Sequence, residues 1–95
     1  MNDMKRWTVV FRILANINRL KIVEMLSDKG KMSVGAIAEN LNISFKATSN
    51  HLVMLKNLDV LEAQGTAGHV FYSINPQMPQ DFRKVLDLIY FVLKI

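Results

Sequence analysis

The stretch ISFKATSNHLVMLKNLDVL, residues Ile43 to Leu61, decides the fold. Ser44 is a residue type that caps helix N-termini, and a helix is expected from about Phe45 to Leu58. On its helical wheel Ala47, Leu52, Leu55 and Leu58 lie on one side. Phe45, Lys46, Ser49, Asn50 and Val53 lie on the other. The first side belongs in a core. The second is either a surface that reads a partner or the wet side of an ordinary core helix, and the flanking sequence has to decide.

Upstream, Asn42-Ile43 forms a tight turn, and Ser33 can cap a preceding helix that holds Val34, Ile37, Ala38 and Leu41. Further back, Asp28-Lys29-Gly30-Lys31 ends a helix capped by Asn16, with Gly30 free to take a left-handed conformation. That helix carries Leu20, Ile22, Val23, Met25 and Leu26. Before it, Met4, Trp7, Thr8, Phe11, Leu14 and Ala15 recur at helical spacing from about Asp3 to Ala15. Downstream of Asp59, the β-branched and aromatic segments Val60–Gln64 and His69–Ile74 read as strands joined by the loop Gly65-Thr66-Ala67-Gly68. Asn75-Pro76 and Pro79 break the chain before a last helix from about Gln80 to Leu93.

The order is therefore helix, helix, helix, turn, helix, hairpin, helix. A short turn between the third and fourth helices predicts a helix-turn-helix at about 33–58, and the hairpin at about 60–75 is placed as its wing. The expected class is α+β, mainly α, with about five helices and one hairpin. Residues 1–95 are read as a single domain.

The chain of 95 residues contains no cysteine, so disulfides, thiolate metal sites and cysteine catalysis are excluded. Its hydrophobic fraction of 51% is high for a chain of this length, which suggests a surface hidden against a partner. Lys5 and Arg6 precede only a short apolar run that Arg12 interrupts, so no signal peptide is expected. The apolar run Leu88 to Leu93 falls far short of bilayer thickness, and a cytoplasmic protein with no membrane partner is expected. The formal net charge is +4, compatible with nucleic acid as a partner. Most of the positive charge lies before residue 32. Residues 43–75 balance Lys46 and Lys56 against Asp59 and Glu62.

Four motifs resemble one family. Arg12 to Leu26 (RILANINRLKIVEML) resembles the segment that opens its second helix. Ser33 to Ser44 (SVGAIAENLNIS) resembles its first motif helix and turn. KATSNHLVMLKNLDVL resembles its recognition helix, with Ser49, His51, Leu52 and Leu55 in the S-x-H-L-x-x-L pattern. Gly68 to Ile74 (GHVFYSI) resembles its second wing strand. Together, over roughly residues 11–75, the chain resembles the ArsR/SmtB winged helix-turn-helix transcriptional regulators. The resemblance implies a homodimeric repressor that binds a palindromic DNA operator and is released by an inducer.

The residues support a dimer independently. Phe82, Val85, Leu86, Leu88, Ile89, Tyr90, Phe91, Val92 and Leu93 make the last helix apolar nearly all round, so it must be covered on most sides. Trp7, Val10 and Phe11 of the first helix are expected to join it, giving an interface of Trp7, Val10, Phe11, Phe82, Val85, Leu86, Ile89, Tyr90 and Leu93. The alternative is a central helix buried within one subunit.

As a recognition helix, the fourth would present its first turns to base edges. Ser44 places a positive dipole end where a phosphate can sit. Lys46 can donate to guanine or phosphate, and Asn50 can bond an adenine edge bidentately. Phe45 can touch a thymine methyl, and Ser49 a base or a phosphate. Val53, Lys56 and, in the wing, His69 complete the expected DNA-binding set. Members of the family often carry a basic residue where Val53 stands, and Arg or Lys in the wing. With so little positive charge there, weak or unusually salt-sensitive binding is expected unless Lys56, Arg19, Lys21, Lys29 or Lys31 reach the backbone.

His51 is read as a packed, hydrogen-bonded side chain rather than a ligand or catalyst. Of Phe71 and Tyr72, one is expected to face the core, and the methionines are read as core filler. The family's cysteine metal site is impossible here, and the site on the last helix lacks histidine, so no metal and no cofactor are expected. The inducer, if one exists, is a small organic molecule at the dimer interface or a protein. No catalytic arrangement is found: Ser49 and His51, two apart on a helix, point in different directions. The alternative function is a winged-helix protein-interaction module that has lost DNA binding.

Overall fold

A computed structural model describes residues 3–93; the side chain of Leu93, expected in the dimer interface, lies outside what is described. The elements run α1 (Asp3–Leu14), α2 (Ile17–Lys29), β1 (Met32–Ser33), α3 (Val34–Leu41), α4 (Phe45–Asn57), β2 (Leu61–Thr66), β3 (His69–Ile74) and α5 (Gln80–Leu93). The antiparallel sheet has the order β1-β3-β2. The architecture is a winged helix-turn-helix, mainly helical.

Each expected cap is present. Asn16 Oδ1 accepts from the Arg19 amide at 3.1 Å, Ser33 Oγ from Ala36 at 3.1 Å and Ser44 Oγ from Ala47 at 3.0 Å. Each satisfies one of the orphan amides of a first helical turn. Between α3 and α4, Asn42 adopts the left-handed conformation (φ 55°, ψ 45°). The Ile43 amide then reaches back to the Ala38 carbonyl at 3.2 Å, a Schellman-type stop. Three residues therefore suffice to end one helix, turn the chain and cap the next. Gly30 has a positive φ of 84°, but its ψ of −102° lies away from the αL basin expected for it.

The wing is tighter than expected. Thr66 pairs directly with His69, and Gly65 with Val70, so the strands continue to a two-residue loop. Ala67 and Gly68 both have positive φ, the condition of the primed turn whose twist matches the strands. β1 is absent from the expectations. Met32 and Ser33 pair with Tyr72 and Phe71, a bridge created by the packing of the wing against the start of α3.

The core is centred on Ile22, Leu26, Ile37, Leu52, Leu55 and Leu61, with Thr48 buried among them and its hydroxyl donating to the Ser44 carbonyl at 2.9 Å. Tyr72 is buried and Phe71 half-buried, as their alternation requires. α1 and α5 close over this core. Arg6 forms a two-pronged pair with Asp81 (2.6 and 2.9 Å) and lies over the Phe82 ring, whose neighbour is Trp7.

Four residues assigned to the dimer interface are occupied elsewhere. Val10 is 1% exposed, and Phe82, Leu86 and Tyr90 are also buried within the subunit. Val10 and Leu14, not Met4 and Phe11, form the inward edge of α1. The Tyr90 hydroxyl donates to the Leu20 carbonyl at 3.1 Å, and burial raises its pKa. Trp7, Val85 and Ile89 are half-buried, and Phe11 is exposed. Among the described residues of the assigned set only Phe11 stays open, joined by Met4 and Ile17 toward the N-terminus and by Leu88, Phe91 and Val92 on α5. α5 is not apolar all round: Gln80, Asp81, Arg83, Lys84 and Asp87 are exposed, and Phe82, Leu86 and Tyr90 face the subunit's own core.

Candidate nucleic-acid interface

α4 is held by its inner face. Thr48, Leu52 and Leu55 are buried, and their spacing leaves Lys46, Ser49, Asn50 and Val53 outward at i, i+3, i+4 and i+7. Lys46, Asn50 and Lys56 are exposed, Ser49 is half-buried, and Val53 is 46% exposed. Ser44, exposed, uses its hydroxyl on the cap and leaves the positive end of α4 facing solvent. Lys46, Ser49, Asn50 and Val53 of the expected set are thus brought together on one face of one helix.

Phe45, 62% exposed, sits at the edge of that face. With Ser49 it lines a cleft of about 490 Å³ whose other wall is the start of α3 and the wing residues His69, Val70 and Tyr72. His69 therefore faces Phe45 and Ser49 across the cleft, which Lys46 and Asn50 do not line. Val70 was not anticipated. It shares a strand face with core Tyr72, and that period of two was the available signal. It is open because the wing extends beyond the body of the domain.

The basic residues that could meet a phosphate backbone divide into two groups. Lys21, Lys29, Lys31, Lys46 and Lys56 are exposed, and Lys31 lies over the Phe71 ring. Arg19, expected as a possible phosphate contact, is committed internally. Its Nε donates to the Ile13 carbonyl, and its Nη1 contacts His51 Nδ1 at 3.1 Å and Met54 Sδ at 3.2 Å. Because a guanidinium only donates, His51 Nδ1 accepts and the ring proton sits on Nε2. His51 is thus a half-buried structural link between α2 and α4.

That link is pH-dependent. Burial, and then the Arg19 charge, lower the His51 pKa below its ordinary value. The unfolded chain takes up the proton more readily, so this contribution to stability is complete above about pH 6.5 and is lost as pH falls below it. Asp81, lowered by Arg6, acts only below the usual carboxylate range. Thermal melts should show a fall in Tm between pH 7.5 and 5.5 that is reduced in His51→Gln. An equal fall in both proteins would assign the effect elsewhere.

Comparison with known proteins bears on this site. The family model described as bacterial regulatory protein, arsR family, matches residues 16–63, from the cap of α2 into β2. The transcriptional repressor SdpR of Bacillus subtilis is 36% identical over 72 residues, covering 76% of this chain and 79% of that protein. The structure of HlyU from Vibrio cholerae superposes with a TM-score of 0.80 at 27% identity, covering 97% of each chain. A homodimeric winged helix-turn-helix DNA-binding domain from Mycobacterium bovis superposes at 0.79 with 25% identity, covering 99% of this chain and 88% of that one.

Proposed function

Because the chain belongs to the arsR family of bacterial regulatory proteins, we propose that it acts as a homodimeric repressor, laying α4 in the major groove of a palindromic operator. The observation that carries the residue assignment is the stripe Lys46, Ser49, Asn50 and Val53, open to solvent on a helix whose other face is locked into the core. Lys46 supplies a donor for guanine or phosphate, Asn50 a bidentate partner for adenine, and Ser44 at the helix N-terminus a phosphate position. Regulators of this class are not enzymes, and the side chains gathered at α4 are those of a binding face.

Repression is preferred over activation on the likeness to SdpR; HlyU, also similar, is named an activator. No helix among the described residues is long and apolar enough to cross a membrane. With no cysteine in the chain and no histidine on α5, what remains is a small organic molecule, a protein partner, or no inducer at all.

The test is fluorescence anisotropy with DNA from just upstream of the protein's own gene, against random DNA of equal length, across a salt series. Selective binding is expected. Few phosphate contacts mean a shallow salt slope, not the unusual sensitivity first expected. With Lys46 and Lys56 from each subunit, log K should fall with log salt at a slope of about −4. A slope near −10 would show that Lys21, Lys29 and Lys31 also reach the backbone. Absence of selectivity at low salt would favour the protein-interaction reading, which the exposed Phe45, Val53 and Val70 make physically reasonable.

A further inference from the structure

α4 exposes an apolar side chain where a basic one would raise affinity for any DNA. Val53 lies in line with Lys46 and Asn50, one helical turn beyond Asn50, and nearly half of its surface is open. It packs no core: Leu52 and Leu55 occupy that face. Its cost in water is a standing one, offset only when an apolar partner covers it.

The surface it continues is the proposed DNA face, and this inference rests on that reading. The major groove offers a prominent apolar group to a helix, the thymine 5-methyl. We propose that Val53 is a specificity-determining residue that reads a thymine methyl in each operator half-site, beside the base contacted by Asn50. Phe45 is the less suitable reader. It stands at the first turn against the wing cleft, whereas Val53 shares the helix edge with Lys46 and Asn50. An apolar residue here substitutes selectivity for general attraction, which accords with a helix-and-wing region, residues 43–75, whose charges balance. A lysine at this position would bind a phosphate beside any sequence. A valine gains only where a methyl is presented.

The experiment begins by selecting operator DNA from a random duplex pool with the full chain. Thymidines of the selected half-site are then replaced one at a time by deoxyuridine, which removes the methyl and keeps every hydrogen bond. One replacement is expected to weaken binding about fourfold, and its symmetric pair about fifteenfold, as loss of a buried methyl on each side requires. Val53→Ser, which changes an exposed side chain and should melt like the parent, is expected to bind the thymidine and deoxyuridine operators equally. If no replacement weakens the parent, or if Val53→Ser still discriminates, Val53 does not read a methyl. Failure to select any DNA at all would instead overturn the DNA-binding function itself.

Discussion

Replacing Lys46 and Asn50 together by alanine is expected to lower affinity for the selected operator by about a hundredfold or more, leaving the fold intact. Both side chains are exposed and none of the core depends on them. Loss of a bidentate base contact costs about 1–3 kcal/mol, and loss of a charged donor a similar amount, so the pair removes several kcal/mol. The two single variants should differ in kind. Asn50→Ala is expected to relax selectivity at one base pair in each half-site while affinity for random DNA barely changes. Lys46→Ala is expected to weaken random DNA too if its partner is a phosphate, and to shallow the salt slope by about 1 per subunit. An unchanged operator affinity in the double variant, with an unchanged melting temperature, would remove α4 from the DNA interface.

The helices were legible because their ends are written in side chains. Asn16, Ser33 and Ser44 each cap a helix by a hydrogen bond to the amide three residues on, a local interaction that requires no knowledge of the rest of the chain. β1 was not legible, because two residues carry no periodicity and their pairing with Tyr72 and Phe71 exists only after the wing has folded back. The hairpin loop was drawn too long for a related reason. Gly65 and Thr66 look like turn residues, but cross-strand pairing extends the ladder through them and leaves the turn to Ala67 and Gly68.

The exposed face of α4 was legible from spacing, since Leu52 and Leu55 fix which way the helix points; the burial of Thr48 was not foreseen. What spacing could not supply was the fate of Arg19. Its sequence position marks it as one more basic residue before the motif, while its actual partners lie on two other helices, Ile13 on α1 and His51 and Met54 on α4. The inner edge of α5 was misjudged because its apolar residues were grouped together, although Phe82, Leu86 and Tyr90 recur every four residues and so share one face. Burial follows that spacing: Phe82, Leu86 and Tyr90 face the subunit's own core, and Leu88, Phe91 and Val92 do not.

That distinction makes the second large effect a matter of two neighbouring leucines. Leu88 is 64% exposed and Leu86 4%, on the same helix and two residues apart. If α5 forms the subunit interface, Leu88→Glu leaves a folded monomer, because glutamate is a good helix former and the side chain it replaces contributes little to the subunit core. In a two-fold interface each substitution occurs twice, and a carboxylate buried without a partner costs several kcal/mol at each site. The dimer dissociation constant should therefore rise by about a thousandfold or more. Light scattering would then show a monomer at micromolar concentration with native helicity. Operator affinity should fall with it, since one subunit spans only one half-site. Leu86→Glu should behave differently, losing the cooperative melt altogether, because the charge enters the core shared with Ile22 and Leu26. A Leu88→Glu protein that remained dimeric would move the interface away from this face of α5. The open apolar surface of Met4 and Phe11 on α1 would then be the next place to introduce a charge.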